Sequence, residues 1–215
     1  MENSDRRLAD RGTVAGMRWD QLFSDLESQI DREMLDEQRA LELEEERLRL
    51  GRLTLRDRIA ALARAGESAT EALVRIELQG GLLIGVRPLA FGRDWLSAET
   101  VRYGRPSAQV VVPFAAIAAI LPGREQLEPS LVAVPEASVR LAERIGLPFV
   151  LRDLSRRRTA VQLTTIDGIV HGTIDRVARD HLDLALHDPG TPRREHDVHG
   201  YRIVPLARLL LVRFG

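Results

Sequence analysis

The sequence has no cysteine and no lysine. Without thiols it can form neither disulfides nor thiolate zinc sites, and the composition suits a reducing compartment. All 31 basic residues are Arg, a bias that base composition explains without any special demand for guanidinium groups. Aromatic residues make up 4% of the chain, which leaves few platforms for stacking bases. No apolar run approaches the roughly 18 residues of a membrane span, and residues 1–10 lack a signal-peptide core. A cytoplasmic protein is therefore expected. Nucleophile elbows, Walker loops and dinucleotide fingerprints are missing, and the carboxylates are scattered over turns with nothing to raise a pKa. The sequence gives no grounds for an enzyme, a cofactor or a small-molecule substrate.

The net charge is −1, so bulk electrostatics select neither nucleic acid nor an acidic substrate. Residues 131–215 are mildly basic, with 13 Arg against 10 acids.

The most informative stretch is Val161–Leu186. Val161, Leu163 and Thr165 alternate with Gln162 and Thr164, the period of a half-buried strand, and Asp167-Gly168 signals a hairpin. Ile169 opens a second strand interrupted by Gly172, where a bent strand suits a residue without a Cβ. After Arg179-Asp180, Leu182, Leu184 and Leu186 mark a third. Residues 72–98 repeat the pattern. With Gly85 laid on Gly172, Gly81 falls on Gly168, Val74, Ile76 and Leu78 form the first strand, and Asp94-Trp95-Leu96 falls on Asp180-His181-Leu182 with one residue inserted. Val111–Ile117 and Ile203–Leu209 close the two copies. Leu55-Arg56-Asp57 and Leu151-Arg152-Asp153 precede them in helical contexts. The spacing predicts a mainly β chain with α-helices, built as two tandem small barrels at 67–121 and 159–215. Barrels this small need support from each other, a helix or another chain.

Ahead of the barrels, residues 1–18 read as a disordered tail and 19–66 as a helical arm; 122–158 reads as a helical linker with helices over Pro135–Arg144 and Pro148–Arg157. Trp19, Leu22, Phe23, Leu26, Ile30 and Met34 fall three or four apart and form an apolar stripe. Such a stripe packs on the same chain, or docks onto a protein partner or a second copy through bulky anchors. Leu41, Leu48, Leu55 and Leu62 recur every seven residues, a coiled-coil hint diluted by Glu44–Glu46 and Gly51. Thr54 and Asp57 resemble a capping box for the short helix that follows.

A helix leading into a bent meander with Asp167-Gly168, Gly172, Asp180 and Leu184 resembles the Sm-like superfamily, the small barrels of Sm, LSm and Hfq proteins, and other SH3-like barrels share this pattern. Tyr201–Pro205 is faintly similar to the Hfq segment near its ring interface. The resemblance spans both barrels and implies strand-edge pairing into an assembly, with RNA as a candidate ligand. The base-contacting Asn of the family is replaced by Asp183 and Ser97, and the Arg-Gly of its second motif is missing. Trp19–Glu27 also resembles a segment of uncharacterised actinobacterial proteins, which brings no function with it.

Two ligand classes remain to be weighed. Arg156, Arg157, Arg158, Arg176, Arg179, Arg193 and Arg194 form the candidate nucleic-acid patch, although Asp153, Asp175, Asp180 and Asp188 are near enough to pair with them. The five histidines, His171, His181, His187, His196 and His199, all lie in the second barrel. A polar loop accounts for them, and no metal site is expected. The leading expectation is a non-catalytic interaction or assembly module, with RNA binding as the alternative.

Overall fold

A computed structural model describes residues 6–65, 73–101, 108–132 and 144–215, and side chains from Leu22 onward as well as that of Trp19. The expected helix over Pro135–Arg144 falls almost wholly outside the described residues. The chain divides into two units, 1–52 and 53–215.

The first unit is one helix, α1, over Arg6–Arg52. At about 1.5 Å per residue it is roughly 70 Å long. It begins at Arg6, ahead of the Trp19 start that the stripe suggested, so residues 6–18, expected as a disordered tail, are helical. The stripe marks only where large apolar residues begin. Propagation is cheaper than nucleation, and the Leu, Ala and Arg of this segment are good helix formers that carry the helix through Gly12 and Gly16. Farther along, Asp36–Arg39, Glu44–Arg47 and Glu46–Arg49 form i,i+3 ion pairs at 3.2, 3.7 and 2.6 Å. The hydrogen bond from Arg49 holds the Glu46 carboxyl below its ordinary pKa.

The second unit opens with α2, Leu55–Ala65. The helical arm expected over 19–66 is therefore split at Leu53-Thr54, and its last part belongs with the sheet. The capping box is present: Thr54 N–H donates to Asp57 Oδ2 at 2.9 Å and Asp57 N–H to Thr54 Oγ1 at 3.2 Å. Ile59 and Leu62 of α2 are buried in the first hydrophobic core. The seven-residue leucine series accordingly ends as core packing at Leu62, not as a continuous coiled-coil seam.

Ten antiparallel strands follow: β1 (Val74–Leu78), β2 (Leu82–Phe91), β3 (Trp95–Thr100), β4 (Gln109–Pro113), β5 (Ile117–Ile120), β6 (Ala160–Thr165), β7 (Gly168–Val177), β8 (His181–Leu186), β9 (Gly200–Pro205) and β10 (Leu209–Phe214). Between β5 and β6 lie α3 (Arg124–Leu127) and α4 (Leu147–Arg156). The strands form one sheet in the order β5-β1-β2-β3-β4-β10-β6-β7-β8-β9. Its two halves have the same internal order, as the repeat predicts. Two tandem small barrels are the expectation from sequence; the described strands make a single open ten-stranded sheet. β4 pairs with β10 through Gln109↔Phe214, Val110↔Arg213 and Val111↔Val212, which satisfies backbone groups that separate halves would leave on bare edges.

The ladders also correct the alignment of the repeats. Val74 pairs with Val86, and Val161 pairs with Gly172. Val86, not Gly85, therefore occupies the place of Gly172. The inserted residue sits in the first hairpin, where Gln79-Gly80-Gly81 replaces Ile166-Asp167. Downstream the expected match holds, since Trp95↔Pro113 and His181↔Pro205 are equivalent pairs. A Cβ at Gly172 would lie 2.2 Å from the Ala185 carbonyl oxygen, whereas one at Gly85 would meet a Leu73 methyl at 3.3 Å. Only the second copy needs its glycine to let β7 approach β8.

Each half has its own core, and the two interlock. Leu210 and Leu211 of β10 enter the first core, while Trp95 and Val111 of the first half enter the second. The β2–β3 turn also positions α4. Asp94 Oδ1 accepts the Leu147 N–H at 2.7 Å, capping the helix from outside, and the Trp95 indole N–H donates to the Ile145 carbonyl at 2.9 Å. Leu147, Leu151 and Leu154 of α4 then fill the second core. No helix among the described residues is long and apolar enough to cross a membrane.

Candidate interaction surfaces

Alternation within β9 decides what the outer edge of the second half offers. Val204 is buried, whereas Tyr201 and Ile203 project outward and are 68% and 69% exposed. The equivalent strand in the first half is β4. Ile203 stands opposite Asp183 of β8 as Val111 stands opposite Ser97 of β3. Val111 is 1% exposed because β10 covers it. Among the described residues Ile203 has no such neighbour, since β9 is the last strand of the sheet. At the other end β5 pairs with β1 alone. It stands in its half where β10 stands in the other, after the equivalent 3-10 turns Phe114–Ala116 and Leu206–Arg208. The sheet thus ends in one β4-type edge and one β5-type edge, and their mutual pairing already occurs once inside the chain.

The sequence marks Tyr201–Pro205 only as a whole, through its faint similarity to the Hfq segment near a ring interface, and does not single out Ile203. The alternation of Tyr201 and Ile203 with Arg202 and Val204 was the signal available.

The second candidate surface is the stripe of α1. Trp19 is 61% exposed, and Leu22, Phe23, Leu26, Ile30 and Met34 are exposed with it. The Trp19 and Phe23 rings lie 6.4 Å apart, tilted by 33°, a spacing at which aromatic pairs attract. Together they form a contiguous row of exposed large apolar side chains.

The seven candidate nucleic-acid arginines are arranged otherwise. Arg156 and Arg157 bond Asp153 at 3.3 and 2.7 Å. Arg158 and Arg193 converge on Asp175, donating to Oδ1 at 2.9 Å and Oδ2 at 2.7 Å. Asp175 is the extra residue of a β-bulge, where the β7–β8 register shifts between Ile174 and Arg176, so its carboxylate is free to collect both. The bond from Arg193 raises that guanidinium's pKa further. Arg158 has φ 53° at the end of α4. Its N–H bonds the Ser155 carbonyl and that of Thr159 bonds the Leu154 carbonyl, each at 3.1 Å, a Schellman turn in which glycine would be favoured. Arg158 therefore has a structural post. Arg176 stands 3.9 Å from Asp183. Among the described residues no acid pairs with Arg179 or Arg194. Pairing with Asp153 and Asp175 follows the local reading of the sequence. Asp180 and Asp188 bond His181 and His199 instead, at 2.7 and 3.3 Å, and the bond from His181 holds the Asp180 carboxyl below its ordinary value.

The histidines do not converge. His187 is buried, with Nε2 2.9 Å from Thr173 Oγ1 and Nδ1 3.1 Å from the Asp188 carbonyl, so it anchors the start of the 187–200 loop. His196 faces Asp197 at 3.4 Å. Among the described residues no three His, Asp or Glu side chains gather where a metal could sit.

Trp95 lies in the core, 7% exposed, and presents no face for stacking a base.

Comparison with known proteins finds no matching family model, no matching curated protein and no matching solved structure.

Proposed function

We propose that this chain is a non-catalytic interaction and assembly module: two Sm-like small barrels in tandem that pair through strand edges, behind an N-terminal docking helix. The observation that carries the edge pairing is the β4·β10 junction. It supplies a template in which the β5-type edge of one half covers the β4-type edge of the other and buries Val111. Repeating it between chains would set β5 of one copy on β9 of the next, with Ile120 against Ile203 where Val212 meets Val111 within the chain. Such head-to-tail pairing generates rings or open filaments. The docking part rests on the exposed stripe Trp19–Met34.

RNA binding has less support. Arg156, Arg157, Arg158 and Arg193 are held on two carboxylates, and Tyr201 and Phe214 are the only aromatics of the second half. Recovery of RNA with the nuclease-untreated chain, lost steeply with salt, would favour that reading instead.

Ile203→Arg tests the edge. It places a charge where pairing would bury a side chain, and leaves the 69% exposed position of the isolated chain undisturbed. Self-association measured by sedimentation should weaken by about 10- to 100-fold, corresponding to roughly 1.4–2.7 kcal/mol, with the melting temperature unchanged at low concentration. Association equal to that of the unmodified chain would reject edge pairing through β9.

A further inference from the structure

We infer that α1 pairs with the α1 of a second copy of this chain, antiparallel, centred between Leu26 and Glu27. This rests on the docking reading of α1 and commits it to one partner.

Two features of the helix support it. The first is the symmetry of the stripe. About that centre, Trp19 falls opposite Met34 of the second copy and Phe23 opposite Ile30, while the two Leu26 residues meet near the middle. All are exposed at present, so Trp19, Phe23, Leu26, Ile30 and Met34 of one stripe each gain an apolar neighbour in the other, while Leu22 falls opposite Asp31. The second is charge. Residues 6–18 hold four Arg and one Asp, a net +3, while residues 35–47 hold six acids and two Arg, a net −4. The same centre lays each basic segment along an acidic one. A parallel pair would stack Glu42, Glu44, Glu45 and Glu46 on their own copies and the N-terminal arginines on theirs, so repulsion selects the antiparallel arrangement. The Glu44–Arg47 pair is already counted within 35–47, whereas Arg49, just beyond it, pairs with Glu46 and brings the −4 to −3, which is still acidic against the basic segment.

The full chain supplies the test, because with no native cysteine a single introduced one takes a spin label uniquely. Gln38→Cys is placed outside the stripe in a chain that also carries Ile203→Arg, which removes edge pairing. The expected result is a dimer with labels about 35 Å apart, from a rise of about 1.5 Å per residue over the offset from the centre. Adding Trp19→Ala with Phe23→Ala should abolish that dimer. A separation of about 10 Å, the interaxial distance of a parallel pair, would overturn the inference, as would a dimer that survives the double alanine change. A chain that stays monomeric while its helix captures another protein would overturn self-pairing but leave the docking reading standing. Failure of the edge reading is distinct, because Ile203→Arg would then leave the assembly unchanged in size.

Discussion

Trp95→Ala should lower the stability of the 53–215 unit by about 3–5 kcal/mol, the range for removing a large buried aromatic. For a unit of this size that corresponds to a fall in melting temperature of roughly 10 °C. Trp95 belongs to the first half by sequence and to the second core by packing, so its loss leaves a cavity where the halves interlock. It also removes the hydrogen bond to the Ile145 carbonyl, which orients the chain entering α4. Trp95→Phe separates the two contributions. It keeps most of the ring and loses the indole N–H, and the Ile145 carbonyl still accepts from Arg93 N–H at 3.0 Å, so the cost should be about 1 kcal/mol. Denaturant unfolding followed by sheet ellipticity reads both values. A cost below about 1 kcal/mol for Trp95→Ala would mean that the indole does not couple the halves.

Gly172→Ala should destabilise the same unit by about 2–3 kcal/mol, at the upper end for a forced misfit in a packed interior. The added methyl would lie 2.2 Å from a backbone oxygen, so β7 and β8 must separate locally. Gly85→Ala is the matched control. Its methyl would meet the end of a Leu73 side chain at 3.3 Å, which can move, and the alanine restricts the unfolded chain, so the change should stay within about 0.5 kcal/mol of neutral. Equal costs at the two positions would reject the register in which Val86 occupies the place of Gly172.

These two sites also show where the sequence was readable. The strands were legible because alternation is a local property, as with Val161, Leu163 and Thr165, or Leu182 and Leu184 after the Arg179-Asp180 turn. The duplication was legible for the same reason, and so was the Thr54–Asp57 cap. The register between copies was not, because one extra turn residue at Gln79-Gly80-Gly81 shifts everything behind it, and two glycines in similar strands invite the wrong match. Nor was the continuity of the sheet. Val111 meeting Val212 depends on contact between strands about a hundred residues apart, which no local pattern encodes. The same holds for the outer edge: Ile203 reads as an ordinary strand residue until the sheet order shows that no described strand lies beyond it. Arg156 and Arg157 were legible in their local pairing with Asp153, whereas the convergence of Arg158 and Arg193 on Asp175 required the bulge in β7.

Edge pairing between chains is tested most directly by amide hydrogen exchange of the full-length chain over a dilution series. Among the described residues β5 and β9 are unpaired on their outer sides, so pairing should protect amides in Ile117–Ile120 and in residues 200–203 at high concentration and lose that protection on dilution. Interior strands such as β6 and β10 should not change. A helix-mediated dimer alone would leave both edges exchanging freely. Exchange of β5 and β9 at one rate across all concentrations would contradict the proposed assembly.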